Sequence, residues 1–272
     1  MRMPAAAGSF YPKDKEAIEK MVANCIAGAK PYIKKKACYA GVSPHAGFMY
    51  SGVPAACTFL SIKELKDAET VVIIGPNHTG LGGQISISAE DWAMPIGTFK
   101  NDLEFGREIV EASNFVKPDE DAHRAEHSIE VQLPFLQAVN PNARIVPICM
   151  MKQSLEGARD VAEGILAAEQ KLGRKIVAIA SSDFSHYISS EDAKLEHDGA
   201  LGHIQNLDVP GFQKDVRANQ WSICGYGPIS AAALYSQKKG SKKALELMYI
   251  DSGEATGDYS RVVGYASIVF PR

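Results

Sequence analysis

Short apolar, β-branched runs alternate with longer amphipathic stretches along the chain, and this alternation constrains the fold more than any other feature. Several apolar residues in succession indicate strands buried on both faces, as in a parallel or mixed sheet covered by helices. Residues 84–88 (QISIS) alternate instead, which predicts an edge strand or a strand with one buried face. The other predicted strands cover residues 38–43, 70–75, 144–150, 175–181 and 261–270.

Helical patterns fill most of the sequence between these runs. Residues 126–139 also have a helical pattern, in which Pro134 is expected to cause a kink or a break. No repeat or Pro/Gly/Ser-rich linker divides the chain, so we predict a single α/β domain over residues 1–272, with a largely parallel or mixed central sheet flanked by helices. The other predicted helices cover residues 14–27, 53–62, 101–112, 154–171, 190–205, 228–236 and 242–250.

Charge and cysteine usage narrow the class of partner and compartment. A net charge of -3 and a pI near 6.2 argue against nucleic acid as a partner. No segment reaches the roughly 18 uninterrupted apolar residues of a membrane helix, and the first residues lack a signal peptide's apolar region. The five cysteines form no CxxC pair. We therefore expect free thiols in a reducing, cytoplasmic setting, without membrane partners.

Three predicted strands are each followed, within a few residues, by a histidine. His45, His78 and His186 all lie in loops where Gly, Pro or Ser favour a tight turn. In a sheet of this kind, sites gather at the loops just past the carboxyl ends of the strands. Imidazole is the commonest transition-metal ligand and a base near neutral pH, so the recurrence predicts a joint metal-type site in one cleft.

Cys224 is the one cysteine outside an apolar strand or helix, in the segment WSICGYGP. It has two interpretations. A lone cysteine is often a buried small hydrophobe. The flanking glycines and the helix predicted to follow could instead present a thiolate, whose pKa the helix N-terminus would lower.

A competing motif occupies residues 123–127. His123, Glu126 and His127 fit H-x-x-E-H, in which two histidines one helical turn apart bind zinc and the glutamate acts as a base. This motif predicts a zinc hydrolase. Alternatively, His127 and Glu130 support another site from behind, and Glu126 and Glu130 stabilise a helix N-terminus.

Several longer motifs together resemble the Memo family. The resemblance runs from about residue 5 to the carboxyl terminus, with the motifs in the same order and at similar spacing. The motifs are residues 7–12 (AGSFYP), 44–47 (PHAG) with 50–52 (YSG), 75–78 (GPNH), 126–135 (EHSIEVQLPF), 181–187 (SSDFSHY) and 224–228 (CGYGP).

The resemblance implies a fold similar to that of extradiol catechol-cleaving dioxygenases, which hold non-haem Fe(II) with two histidines and a carboxylate. Carried over by motif, it implies His45 and His78 as metal ligands and His186 as an acid or base. Asp183 lies beside His186 and would orient a histidine. Cys224 stands where those enzymes carry the third, carboxylate ligand.

That departure changes the expected chemistry. A thiolate is softer than a carboxylate and shifts preference toward copper or zinc, or toward different iron chemistry, so dioxygenase activity does not carry over. The resemblance implies iron or copper binding and redox activity, and phosphopeptide binding in eukaryotic members, a signalling role not expected here. Prokaryotic members go with the AmmeMemoRadiSam gene set, which implies a functional link to a radical-SAM protein.

These observations leave three functions open. The first is a metal-dependent oxidoreductase or metal-handling protein with iron or copper, zinc being possible, at His45, His78 and Cys224. The second is a non-catalytic module that binds a small molecule or peptide in the same cleft. The third is the zinc hydrolase built on the H-x-x-E-H motif.

Overall fold

The computed structural model describes residues 1–272. Ten α-helices pack around the sheet. In chain order they are α1 (Lys15–Ala29), α2 (Phe48–Ser61), α3 (Leu103–Ala112), α4 (Asp121–Arg124), α5 (Leu133–Val139), α6 (Leu155–Leu172), α7 (Ser190–Gln205), α8 (Val209–Ala218), α9 (Tyr226–Lys238) and α10 (Gly253–Thr256).

Eleven strands alternate with these helices, and five of them confirm the predicted apolar runs to within one residue. The strands are β1 (Cys38–Ser43), β2 (Thr70–Pro76), β3 (Ile85–Ile87), β4 (Trp92–Met94), β5 (Gly97–Phe99), β6 (Val116–Pro118), β7 (Arg144–Met150), β8 (Ile176–Ser181), β9 (His186–Ile188), β10 (Leu245–Asp251) and β11 (Val262–Pro271).

Nine strands form one mixed sheet, with the order β10-β11-β1-β8-β2-β7-β3-β6 and β9 added beside β11. Its centre is parallel, because β1, β8, β2 and β7 pair in the same direction. β11 runs antiparallel to both β1 and β10, and β3 runs antiparallel to β7. The predicted mixed α/β architecture is confirmed.

Each face of the sheet carries its own apolar core. One core of 32 buried residues lies under α1, α2 and α5, and the other, of 39 residues, lies under α3, α6, α7, α8 and α9. Alternate residues of the central strands enter opposite cores: Val72 and Ile74 belong to one, and Val71 and Ile73 to the other. Burial on both faces explains why these strands are apolar without alternation.

Local capping agrees with two of the helix predictions. The Ser154 side chain accepts a hydrogen bond from the Gly157 amide at the start of α6, and Gly173 ends that helix with a φ of 64°. Ser189 caps α7 by accepting from the Asp192 amide. Hydroxyl caps and a left-handed glycine satisfy the backbone groups that a helix end leaves unpaired.

Three predictions of local structure are wrong. Residues 242–250 were expected to be helical, but β10 occupies most of this segment because pairing with β11 outweighs the helix propensity of its Leu, Glu and Met residues. Residues 126–139 do not form one helix: a 3₁₀ turn at Glu130–Gln132 precedes α5, so the predicted helix breaks just before Pro134, which lies in the first turn of α5 and causes no kink. β3 lies inside the sheet with all three residues buried, because β6 covers its outer side.

None of the helices is both long enough and apolar enough to cross a lipid bilayer.

Candidate metal centre

Three neighbouring strands deliver polar side chains to one edge of the sheet. β8 lies between β1 and β2, and all three are parallel. Their carboxyl ends therefore meet at the same edge. His45, Asp183 and His78 each lie two residues beyond the end of their strand, β1, β8 and β2 respectively. The predicted convergence of loops is present for these residues.

The centre of this edge is a cluster of three imidazoles. One ring nitrogen from each of His45, His78 and His127 lies within 4.8 Å of the others. The rings of His78 and His127 stack at 4.7 Å between centroids, and His45 meets both edge-on, at 5.2 and 5.4 Å. A metal bound tetrahedrally at about 2.1 Å needs nitrogens about 3.4 Å apart, so small ring movements would close the cluster around one ion.

Ser181 sets the proton on the His45 ring. The Ser181 hydroxyl donates to the Ser128 carbonyl at 2.6 Å, and it lies 2.8 Å from Nδ1 of His45. A hydroxyl has one proton, so it must accept at His45. The network therefore assigns the proton to Nδ1 and leaves the lone pair on Nε2, which faces the cluster. Gln132 also donates to this hydroxyl and to the Pro44 carbonyl, which holds the loop in place.

Glu126 fixes the position of the proton on the His78 ring. Its carboxylate is fully buried, accepts from the His78 backbone amide at 2.6 Å, and lies 2.9 Å from His78 Nδ1. The Glu126 oxygen that faces His78 Nδ1, Oε1, is also 3.5 Å from Nδ1 of His127. A carboxylate behind a histidine fixes its tautomer and makes it a better ligand. Burial alone would raise the pKa of Glu126, but the His78 and Ser128 hydrogen bonds outweigh it and lower the pKa to about 2.

The histidines are held in the form that binds metals. Burial, then the neighbouring His78 and His127, lowers the pKa of His45 well below its usual value. Burial also lowers the pKa of His127, to about 4, against the opposing charge of Glu126. Both rings are therefore neutral at physiological pH, with lone pairs available. Nitrogen ligands of this kind suit zinc, copper, iron and nickel.

Cys224 lies at the edge of the cluster. Its Sγ is 3.2 Å from Nε2 of His45, and it accepts from the Asp183 amide at 3.3 Å. Burial, followed by the charge of Asp183, raises the pKa of the thiol well above its usual value. The expected lowering of this pKa by a helix N-terminus is therefore wrong, because the loop before α9 places the sulfur in a desolvated position beside a carboxylate.

A buried ion pair anchors the loop that carries Glu126 and His127. Arg2 forms a salt bridge with Glu130, and both side chains are almost fully buried. The Arg2 guanidinium also donates to the carbonyls of His123, at 3.0 Å, and Glu126, at 2.7 Å. On the outer side, Phe10 stacks on the His127 ring at 4.2 Å. The amino-terminal segment thus fixes the position of the third histidine.

Comparison with known proteins decides the family. The Memo-like protein family matches residues 2–269. The chain belongs to the Memo family. It is 44% identical to a MEMO1 family protein of Archaeoglobus fulgidus over 272 residues, which is 99% of each chain. It is also 42% identical to one from Methanosarcina acetivorans (99% of this chain, 98% of the relative). A third, from Methanopyrus kandleri, is 41% identical (100% and 99%).

The structure of this Memo protein brings most of the predicted site residues to one edge, with contacts that differ in detail. Asp183 accepts from the His45 backbone amide at 2.7 Å, whereas the His45 ring is held by Ser181. Burial raises the pKa of Asp183 to about 7. His186 begins β9, and its Nδ1 lies 2.8 Å from the Ser222 carbonyl, which leaves Nε2 without a proton. Its pKa is lowered by burial.

The H-x-x-E-H motif does not form a two-histidine zinc site. α4 ends at Arg124, so His127 lies outside the helix that would have placed both histidines on one face. His123 is fully buried, with its ring edge-on to Trp92 at 5.8 Å and Nε2 3.2 Å from the Ser86 carbonyl. The hydrolase interpretation is corrected: His127 joins the strand-end histidines, and His123 belongs to the core.

Sequence reasoning missed His127 as the third member of the cluster. It considered this residue only as half of the peptidase motif or as a supporting group. The available clue was the pair Glu126-His127, a buried carboxylate beside an imidazole just before an apolar segment. This pair indicates a ligand only once the structure shows that its loop lies over the ends of β1 and β2.

Replacing Glu126 by glutamine is expected to weaken metal binding by about 10- to 100-fold without loss of the ligands, because the orienting carboxylate is removed. A competition titration against a chromophoric chelator measures this. Glu156→Gln, an exposed position on α6, provides the matched control and should leave the affinity unchanged. Equal affinities for wild type and Glu126→Gln would contradict an orienting role.

Proposed function

We propose that this Memo protein binds one transition-metal ion at His45, His78 and His127, and acts as a metal-dependent oxidoreductase or a metal-handling protein. The observation that carries the proposal is the convergence of three imidazoles whose free nitrogens lie within 4.8 Å. Two of them have carboxylate or hydroxyl partners on the opposite ring nitrogen. Such partners behind the ligands are typical of metal centres.

Cys224 is proposed as a fourth donor or an adjacent redox group. Its sulfur already contacts the ligand nitrogen of His45 at 3.2 Å. An ion bound there would favour the deprotonated thiol, because metal coordination removes the proton that burial retains. A mixed imidazole and thiolate set favours copper, zinc or iron over magnesium or calcium. We propose iron or copper as the physiological metal, with zinc as the competitor.

The surrounding residues have distinct proposed roles. A bound iron or copper ion would supply one-electron redox chemistry, whereas zinc would supply a Lewis acid. His186 is proposed to move protons, because its Nδ1 contacts the Ser222 carbonyl and its Nε2 keeps a lone pair. Asp183, buried beside His45 at 3.9 Å from its Nε2, is proposed to hold a proton or to stabilise the positive charge of the ion.

Metal analysis after anaerobic purification tests the proposal. We expect close to one iron or copper per chain in the wild type and its loss from His45→Ala. Cys224→Ser should retain the metal more weakly and be less prone to thiol oxidation. A wild-type protein that is purified without metal and does not bind added Fe(II), Cu(I) or Zn(II) would contradict the metal centre.

A second candidate is a binding module without turnover, acting on a small molecule or peptide. It is favoured by exposed apolar side chains close in sequence to the site residues: Met49 in the first turn of α2 is 66% exposed, Leu81 in the loop after β2 is 53% exposed, and Tyr187 in β9 is 65% exposed. Exposed apolar side chains beside a candidate site are typical of recognition surfaces. A peptide that binds equally well to wild type and to the metal-free His45→Ala variant, and is recovered unchanged, would favour this candidate.

A further inference from the structure

A second concave site lies at the opposite edge of the sheet from the histidines. It is a cavity of about 640 Å³ at the amino ends of β1 and β8, where the carboxyl-terminal end of β11 also arrives. This volume is within the usual range of small-molecule sites. Six cationic side chains line it: Lys63, Lys66, Arg174, Lys175, Lys239 and Arg272.

Two of the six cations that line this basal cavity have no ion-pair partner. Its lining contains three carboxylates, and each already has a cationic partner within 4.0 Å: Glu64 with Arg272, Asp67 with Lys66, and Glu169 with Lys239. Lys63 and Lys175 form no ion pair. Arg174 pairs with Asp102 and Glu104, which lie just outside the lining, and Glu69 accepts from the Lys175 backbone amide. Lys63 and Lys175 are therefore the two cations of the lining whose side chains no carboxylate contacts.

One wall of the cavity is rigid and aromatic. Lys239 is held by Glu169 at 2.9 Å, and the hydroxyl of the buried Tyr235 donates to the same carboxylate at 3.0 Å. Lys239 and Arg272 both lie against the ring of Tyr39, at 5.7 and 5.2 Å from its centroid. Two cations, each fixed by its own carboxylate, therefore lie beside one aromatic ring.

We propose that this basal cavity binds a multivalent phosphate-type anion, either inorganic or as part of a nucleotide. Lys63 and Lys175 would provide two ammonium groups that form no ion pair within the protein. Lys239 and Arg272 would provide fixed donors, and the Tyr39 ring a surface for a base. The proposal is independent of the metal centre, since no residue belongs to both sites.

Calorimetric titration with sodium pyrophosphate at low ionic strength tests the proposal. Saturable binding at one site is expected, and the Lys63→Gln/Lys175→Gln variant should weaken it by about tenfold, as the loss of two ion pairs implies. Lys20→Gln/Lys117→Gln, which removes two exposed lysines elsewhere, should have no effect. The His45→Ala/His127→Ala variant should bind pyrophosphate as the wild type does, which excludes chelation at the metal centre.

Two results would overturn the proposal: no saturable binding, or equal weakening in both lysine pairs, which would show only general attraction to a charged surface. A parallel titration with ATP distinguishes the two sources of phosphate. If Tyr39→Leu weakens ATP but not pyrophosphate, the site takes a nucleotide. If ATP binds no better than pyrophosphate and Tyr39→Leu changes neither, the site takes inorganic phosphates.

Discussion

Replacing His127 by alanine is expected to abolish stoichiometric metal binding, with a loss of affinity greater than about a hundredfold, because removal of a ligand exceeds the effect of removing its support. His127 is the third imidazole of the cluster, and Glu126 and Phe10 hold its ring. His186→Ala is the matched control. That residue lies at the same edge but outside the three-histidine group, so the His186→Ala variant should retain the metal.

The same experiment separates two ligand sets. Titration with Co(II) reports nitrogen ligation in the visible spectrum and sulfur ligation by a charge-transfer band in the near ultraviolet. If His127→Ala loses the metal and Cys224→Ser keeps it, the three imidazoles are the essential set. If Cys224→Ser loses the metal and His127→Ala keeps it, the set is His45, His78 and Cys224, as the resemblance implied.

The second large effect is expected at Glu130. Glu130→Gln should lower the free energy of unfolding by about 3–5 kcal/mol, because it leaves the buried Arg2 guanidinium without its counter-charge. The carboxylate also accepts from the amides of Ala5, at 2.8 Å, and Ala6, at 2.9 Å, and from the Tyr11 hydroxyl. An uncharged amide cannot satisfy all these donors. Chemical denaturation of the metal-free protein measures the change.

Lys100→Ala is the control for this prediction. Lys100 pairs with Asp91 at 2.8 Å, but its side chain is 68% exposed, so its loss should cost less than about 1 kcal/mol. Because Arg2 also holds the loop before His127, Glu130→Gln should weaken metal binding as well. A variant as stable as the wild type would show that Arg2 reaches solvent or another carboxylate.

Much of the fold could be predicted because the residue pattern of the central strands reflects their burial on both faces. β1, β2, β7 and β8 are apolar along most of their length because cores cover both faces of the sheet. β10 could not be recognised in this way. Its residues are only partly buried at the outer side of the sheet, and they include good helix formers, so pairing with β11 decides their structure.

The residues of the candidate site also differ in whether the local sequence could predict them. His45 and His78 were predictable because each follows an apolar strand at a fixed distance. His127 was not, since its loop is positioned by Arg2 and Ser181, which are distant in sequence and carry no local sign of that role. The position of Cys224 outside the apolar strands and helices marked it as a candidate, and the resemblance supplied its role as third ligand. Its contact with His45 was visible only in three dimensions.

Ser181 joins three stretches of chain through one hydroxyl, and this arrangement bears on the order of assembly. Its partners, His45, Ser128 and Gln132, come together only after β1, β8 and the loop before α5 have packed. Ligands so far apart in sequence cannot gather around an ion in an unfolded chain. Loading of the proposed metal is therefore expected to follow folding, the reverse of a zinc finger, and a chelator should strip the ion from a protein that stays folded.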